Sequence, residues 1–159
     1  MDAAFFSPDG GHAATHSLDG NLRVWDSTTM REILSLDDVA CPGGFTADGS
    51  HLIFSRRDNS IWRLDISTKE TTKMRGGEGQ LIEALPDGRS VVLFGSDKMP
   101  VLRALDEPVT ASNIPDVPVD TCAVVSVDGR RVAVAGRPYP GILVIDLVTG
   151  CLLYTSRCV

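Results

Sequence analysis

Ser7-Pro8-Asp9-Gly10 is the first of four related tetrapeptides, followed by Thr46-Ala47-Asp48-Gly49, Leu85-Pro86-Asp87-Gly88 and Ser126-Val127-Asp128-Gly129. From Gly10 to Gly49 to Gly88 to Gly129 the steps are 39, 39 and 41 residues. A period of that length marks a chain assembled from small repeated sheets. In each copy an apolar run leads into the Asp-Gly pair and another leaves it, the pattern of a hairpin whose glycine takes positive φ.

The runs on either side read as strands. Those leading in are Ala3 to Phe6, Gly43 to Phe45, Leu81 to Leu85 and Thr121 to Val125. Those leaving are His12 to His16, His51 to Ser55, Ser90 to Gly95 and Arg131 to Ala135. A third strand closes on an Asp in each unit: Leu22 to Asp26, Ile61 to Asp65, Val101 to Asp106 and Ile142 to Asp146. A more polar fourth segment, Arg31 to Leu36 or Glu70 to Met74, suits an outer edge facing water. No stretch sustains a 3.6-residue apolar period over helix length, which speaks against an α/β class.

The predicted class is therefore all-β, an arc of about four four-stranded antiparallel blades of a β-propeller. The arc is expected to be open and part of a larger ring, because propellers close with roughly four to eight blades. Blade 1 is placed at 1–36, blade 2 at 37–75, blade 3 at 76–114 and the inner three strands of blade 4 at 115–150. Met1 stands directly before an innermost strand, so blades upstream of it are expected.

Phe6-Ser7-Pro8-Asp9-Gly10 followed by Asp19-Gly20-Asn21-Leu22-Arg23-Val24-Trp25-Asp26 resembles a WD repeat. In the later units Leu64-Asp65, Leu105-Asp106 and Ile145-Asp146 take the Trp-Asp position, and no Gly-His dipeptide stands at the expected start of a unit. The resemblance implies a buried network in which an Asp of the second turn joins a His, a hydroxyl and the Trp. Asp19, Asp58 and Asp97 match that Asp, while Thr15 or Ser17 and Trp25 match the hydroxyl and indole of the first unit. The family's His is absent throughout, so these Asp residues are read as turn-formers that bond their own backbone. The same departure leaves room for bacterial propellers of the TolB or quinoprotein kind.

Cys151-Leu152-Leu153-Tyr154-Thr155-Ser156-Arg157-Cys158-Val159 resembles the translation of a transposase mosaic end joined to its own reverse complement. Residues 151–159 are accordingly expected to be a non-native tail, with β-compatible side chains at Leu152 to Thr155 where an outer strand belongs.

Composition bounds the partners. The chain is 43% hydrophobic, and 15 Lys+Arg against 21 Asp+Glu give a net charge of −6. Such a balance offers no basic field for phosphate backbones or anionic lipid, so neither nucleic acid nor membrane is an expected partner. No apolar run reaches the ~18 residues of a spanning helix, and the start lacks a basic signal region. Cys41, Cys122, Cys151 and Cys158 form neither a CxxC pair nor a dense disulfide framework, which points to a reducing, cytoplasmic setting.

Chemistry-bearing motifs are sparse. His12 and His16 share a strand face about 13 Å apart, too far for one metal ion. Gly76-Gly77-Glu78-Gly79 lacks the Lys of a phosphate loop and reads as a blade-to-blade connection. Asp37-Asp38 and Asp58-Asn59-Ser60 lack spaced calcium ligands and read as turns. No serine stands in a nucleophile elbow, and His51 has no context marking it as a general base. Innermost-strand positions where a channel site would recur hold Ala3, Cys41 or Gly43, Leu81 and Cys122.

The reading that follows is an interaction scaffold without a catalytic site, cofactor or metal, binding a protein or peptide through its turns. Arg56, Arg57, Glu78, Arg137 and Tyr139 are the candidate contacts, because Arg and Tyr are favoured at interfaces and these turns share one face. Asp9, Gly10, Asp19, Trp25, Asp26, Asp48, Gly49, Asp58, Asp65, Asp87, Gly88, Asp128, Gly129 and Asp146 carry the repeat. The alternative is a fragment of an enzyme, cofactor-binding or periplasmic propeller. Blade faces left uncovered are expected to self-associate.

Overall fold

The computed structural model describes residues 3–94, 100–105, 111–113, 120–126, 128–137, 141–149 and 151–157. They form four sheets, each a meander of four antiparallel strands. The first holds β1 (Ala3–Phe6), β2 (His12–His16), β3 (Leu22–Asp26) and β4 (Arg31–Leu36); the second holds β5 (Val39–Phe45), β6 (His51–Arg56), β7 (Ser60–Asp65) and β8 (Thr71–Glu78). The third holds β9 (Gln80–Ala84), β10 (Ser90–Phe94), β11 (Pro100–Ala104) and β12 (Ala111–Asn113); the fourth holds β13 (Asp120–Val125), β14 (Arg131–Arg137), β15 (Gly141–Asp146) and β16 (Leu152–Arg157). No helix occurs among the described residues.

Each first hairpin is fixed by the recurrent tetrapeptide. Gly10, Gly49, Gly88 and Gly129 take φ of 73°, 69°, 66° and 68°, a region that only glycine enters without strain. The Thr46 hydroxyl donates to Asp48 Oδ1 at 2.6 Å and accepts the His51 amide at 3.1 Å, while Asp48 Oδ1 also accepts the Ser50 amide at 3.1 Å. Ser7 with Asp9 and Ser126 with Asp128 repeat the arrangement. In the third unit Leu85 has no hydroxyl, and Asp87 instead accepts the amides of Arg89 and Ser90.

The second hairpin of each sheet is tied to the first by one backbone bond. The amides of Ser27, Ile66, Leu105 and Leu147 donate to the carbonyls of Gly11, Ser50, Arg89 and Arg130. Asp26, Asp65 and Asp146, one residue earlier, each accept two amides of their own turn. Register thus corrects one expectation. Ala104 pairs with Ser90 as Asp65 pairs with His51, so Ala104 stands at the closing position of the third unit. Asp106 lies beyond it and outside the described residues.

The apolar core lies between sheets. Ala14, Leu22 and Val24 of the first sheet pack with Phe45, Leu52, Phe54 and Leu64 of the second. Ile53 and Ile61 meet Leu81, Val91 and Leu93 across the next seam, and Leu85 and Val92 meet Val132, Val134 and Ile145 across the third. Each fully buried Leu, Ile, Val or Phe contributes about 1.5–3 kcal/mol, so these seams hold the sheets in series. Among the described residues no core cluster joins the fourth sheet to the first, and the arc is open.

Most strand ends shift by a residue or two from expectation, and β5, β8 and β12 depart furthest. β5 begins at Val39, earlier than Gly43, because register shifts beside Cys41 and Pro42 accommodate a residue without an amide proton. β8 runs on to Glu78, which pairs with Ser60, so Gly76-Gly77-Glu78 are strand and only Gly79, at φ 140°, separates β8 from β9. The sequence around Ala111–Asn113 carried no strand signal, yet it forms the outer edge of the third sheet. Leu152–Arg157 pairs with β15 as the outer strand of the fourth.

Candidate protein interface

Strand direction sorts the turns onto two faces. The Asp-Gly turns and the closing-Asp turns lie on one, and the turns between second and third strands lie on the other, with the sheet-to-sheet connections. Arg56 ends β6, Arg57 follows it, Glu78 ends β8 and Arg137 ends β14, so four of the five expected contacts fall on that second face. Tyr139 lies outside the described residues, as does Asp97.

Arg57 is tied to the preceding sheet. Its guanidinium donates through Nη2 to the Asp19 carbonyl at 2.8 Å and lies 3.6 Å from Asp38 Oδ1 through Nε. A Cβ on Gly20 would stand 2.9 Å from the same guanidinium. Beneath it the Val39 amide donates to the Gly20 carbonyl at 2.9 Å, and buried His16 Nε2 lies 3.0 Å from the Val39 carbonyl. Asn21 bonds Asp37 at 3.0 Å.

Arg56 is placed differently. Its guanidinium lies 4.8 Å from the centre of the Trp62 ring and 6.0 Å from that of Phe54, and its buried Nε has no hydrogen-bond partner among the described residues. The Trp62 indole donates to Ser60 Oγ at 2.7 Å, and that hydroxyl donates to Asp58. The Asp58 carboxyl is lowered by the Ser60 hydroxyl and amide. A cation stacked on an aromatic ring beside a satisfied indole is a platform suited to a carboxylate or an aromatic side chain. Trp62 escaped notice in the sequence because it sits two residues before the Trp-Asp position.

In the first sheet the WD-type groups separate into two pairs. Trp25 donates to the Thr15 hydroxyl at 3.0 Å, while Ser17 bonds Asp19, which also accepts the Asn21 amide. His12 stacks on Phe45 with ring centroids 6.4 Å apart.

The opposite face carries a groove of about 380 Å³ at the seam of the second and third sheets, lined by Thr46, Asp48, His51, Arg63, Asp87 and Arg89. His51 Nδ1 lies 2.6 Å from Ser50 Oγ and its Nε2 3.6 Å from Asp65 Oδ2. The hydroxyls of Thr46 and Ser50 hold the Asp48 carboxyl down to about 2. The Ser67 hydroxyl and Thr68 amide do the same for Asp65, also to about 2.

One inner-strand feature was invisible to the repeat pattern. Burial pushes the Glu83 carboxyl on β9 up to about 8, and its Oε1 lies 3.5 Å from where a Cβ of Gly44 would stand. Burial, then the charge of Glu83, push the Cys41 thiol on β5 up to about 11. Among the described residues no group of three His, Cys, Asp or Glu side chains is placed to hold a metal ion.

No family model and no curated protein matches the sequence. Solved structures do. The arc is similar to the β-propeller domain of Cps50 (Swd1) from Myceliophteria thermophila, with a TM-score of 0.68, 15% identity, and 99% of this chain covering 57% of that one. It is also similar to TolB from Acinetobacter baumannii, with a TM-score of 0.71, 20% identity, and 95% of this chain covering 43% of that one. The fold is that of a β-propeller. This chain spans about half the length of each of these propeller structures.

Proposed function

We propose that the chain is a non-catalytic interaction module, part of a WD-repeat-like propeller, that holds a protein or peptide on the face carrying Arg56 and Arg57. The single observation behind this reading is the stacking of Arg56 on Trp62, with Nε unsatisfied, next to the Arg57 to Asp38 pair. Arg and Trp dominate binding energy where they cluster. An acidic or aromatic peptide side chain completes such a platform, and the net charge of −6 disfavours nucleic acid. A reducing, cytoplasmic setting accompanies this reading, with Cys41 and Cys151 both free thiols among the described residues. Cys151 to Val159 is taken as a tail foreign to the natural protein, which the codons across it test.

A second reading, a fragment of an enzyme or cofactor-binding propeller, draws on Glu83. A desolvated carboxyl beside a thiol on neighbouring first strands is the kind of group a channel site would use.

Selection of peptides that bind the chain separates the two. Binders from a display library should lose affinity by at least about tenfold with Arg56→Ala or Trp62→Ala. They should be unaffected by Arg89→Ala on the opposite face. Binders indifferent to the first two substitutions would overturn the interface reading, and loss of binding with Glu83→Gln alone would favour the second.

A further inference from the structure

Arg63 on β7 takes a position that the first and third sheets give to an apolar residue. It pairs with Ile53, which is buried in the seam between the second and third sheets, so Arg63 lies on the face turned toward the third. The same register position holds Val24 in the first sheet, sealed at 0%, and Leu102 in the third, packed against the next core. A half-buried guanidinium there costs free energy unless something pairs with it.

Arg89 lines the same groove of about 380 Å³. It stands in the Asp-Gly turn of the third sheet with its backbone held on both sides: its amide donates to Asp87 Oδ1 at 2.9 Å and its carbonyl accepts the Leu105 amide at 2.6 Å. Among the described residues neither the Arg63 nor the Arg89 guanidinium has a hydrogen bond or an ion pair. The corresponding residues are Val24 and Ser50 at the first seam, and Leu102 and Arg130 at the third. Among the described residues, then, only the second seam brings two such cations together.

The other polar groups of the groove are spent within the chain. The Thr46 hydroxyl donates to Asp48 and accepts the His51 amide, and the His51 ring is bracketed by Ser50 and Asp65. Asp87 accepts the amides of Arg89 and Ser90 and the Ser90 hydroxyl. Beneath them the Ala47 amide donates to the Pro86 carbonyl at 2.8 Å. What the groove has left to offer is the planar fork of N–H donors on each arginine, a geometry that matches a carboxylate.

We propose that this groove seats an acidic peptide segment, with Arg63 and Arg89 each taking a side-chain carboxylate. The two guanidiniums are rooted in different sheets and flanked by Asp48 and Asp87. That arrangement suits carboxylates spaced along a chain better than one compact, multiply charged ion, which the flanking carboxylates repel. The net charge of −6 means that attraction for such a segment is local to the groove. The site lies on the face opposite Arg56 and Arg57 and uses no residue of that interface, so it stands or falls separately.

Fluorescein-labelled hexaglutamate, followed by anisotropy in the Arg56→Ala chain, tests the groove with the opposite face silenced. Binding should be saturable, and Arg89→Ala or Arg63→Leu should each weaken it at least about tenfold. Arg63→Leu gives the second sheet the residue that the third has at that position, so the unfolding transition should be kept or raised. Arg130→Ala, at the same turn position one sheet on, should leave binding unchanged, and hexalysine should not bind. Absence of saturable hexaglutamate binding, or an equal loss with Arg130→Ala, would overturn the proposal. An Arg63→Leu chain that loses stability while Arg89→Ala binds normally would reduce Arg63 to a structural residue and overturn it too. Displacement of the peptide by an equal concentration of inorganic phosphate would overturn the assignment to a peptide.

Discussion

Gly49 stands against Asp9 of the preceding sheet: a Cβ built on the glycine would lie 2.6 Å from Asp9 Oδ1. The same oxygen accepts from the Ser7 hydroxyl and the Gly11 amide, so it cannot move away freely. Gly10 has the same positive φ but open space around it. Gly10→Ala should therefore lose about 1 kcal/mol for backbone strain alone. Gly49→Ala should lose more than Gly10→Ala, as Asp9 gives up a turn bond. Urea unfolding of both variants, with Asp9→Ala as the partner in a double-mutant cycle, measures the difference.

Thr46→Val removes the hydroxyl that donates to Asp48 and accepts from the His51 amide. The Asp48 carboxyl should rise from about 2 toward its ordinary 3.8, since that hydroxyl is its strongest perturbant. Carbon-detected NMR titration follows the change. An unmoved carboxyl would show that the Ser50 hydroxyl and amide hold it without Thr46.

Arg57→Ala cuts the link between the second sheet and the Asp19 carbonyl. Both partners are well exposed to water, so the loss should be small, about 1 kcal/mol or less. Amide exchange at Val39, whose proton goes to Gly20 beneath the arginine, should quicken more than exchange in the third sheet.

Stability should depend on pH in two windows. The Glu83 carboxyl keeps its proton to about 8 in the folded chain and has an ordinary value of 4.5. The folded state thus holds more protons between those values, and stability falls as pH rises through the window. Glu83→Gln should flatten that slope. Asp48 and Asp65 run the other way. Their folded values near 2 lie below the ordinary 3.8, so their contribution is present above 3.8 and is lost as pH falls toward 2. Thermal unfolding from acid to neutral pH should pass through a maximum in Tm near the lower end of the Glu83 window.

Much of the fold was readable because its punctuation is local. Ser7, Asp9 and Gly10 are bonded within the turn from Ser7 to His12, and the same chemistry at Thr46 and Ser126 sets the period. What escaped depends on register or on contacts far apart in the chain. Ala104 holds the closing position because β10 pairs it with Ser90, whereas spacing alone pointed to Asp106. The outer run of β8 takes in glycines that composition assigned to a connection. Arg57 reads as an exposed turn residue until its reach to Asp19, 38 positions earlier, is seen. Glu83 shows its raised carboxyl only once β5 is packed beside β9.

The recurrent turns stand side by side on successive sheets. The Ala47 amide donates to the Pro86 carbonyl at 2.8 Å, and a Cβ on Gly88 would lie 3.7 Å from that of Thr46. That is the separation a disulfide needs, about 3.5–4.5 Å. The combined substitution Thr46→Cys and Gly88→Cys should cross-link rapidly within one chain under mild oxidant, as non-reducing peptide mapping would show. Two free thiols at those positions in the folded chain, with no intramolecular bridge, would contradict it.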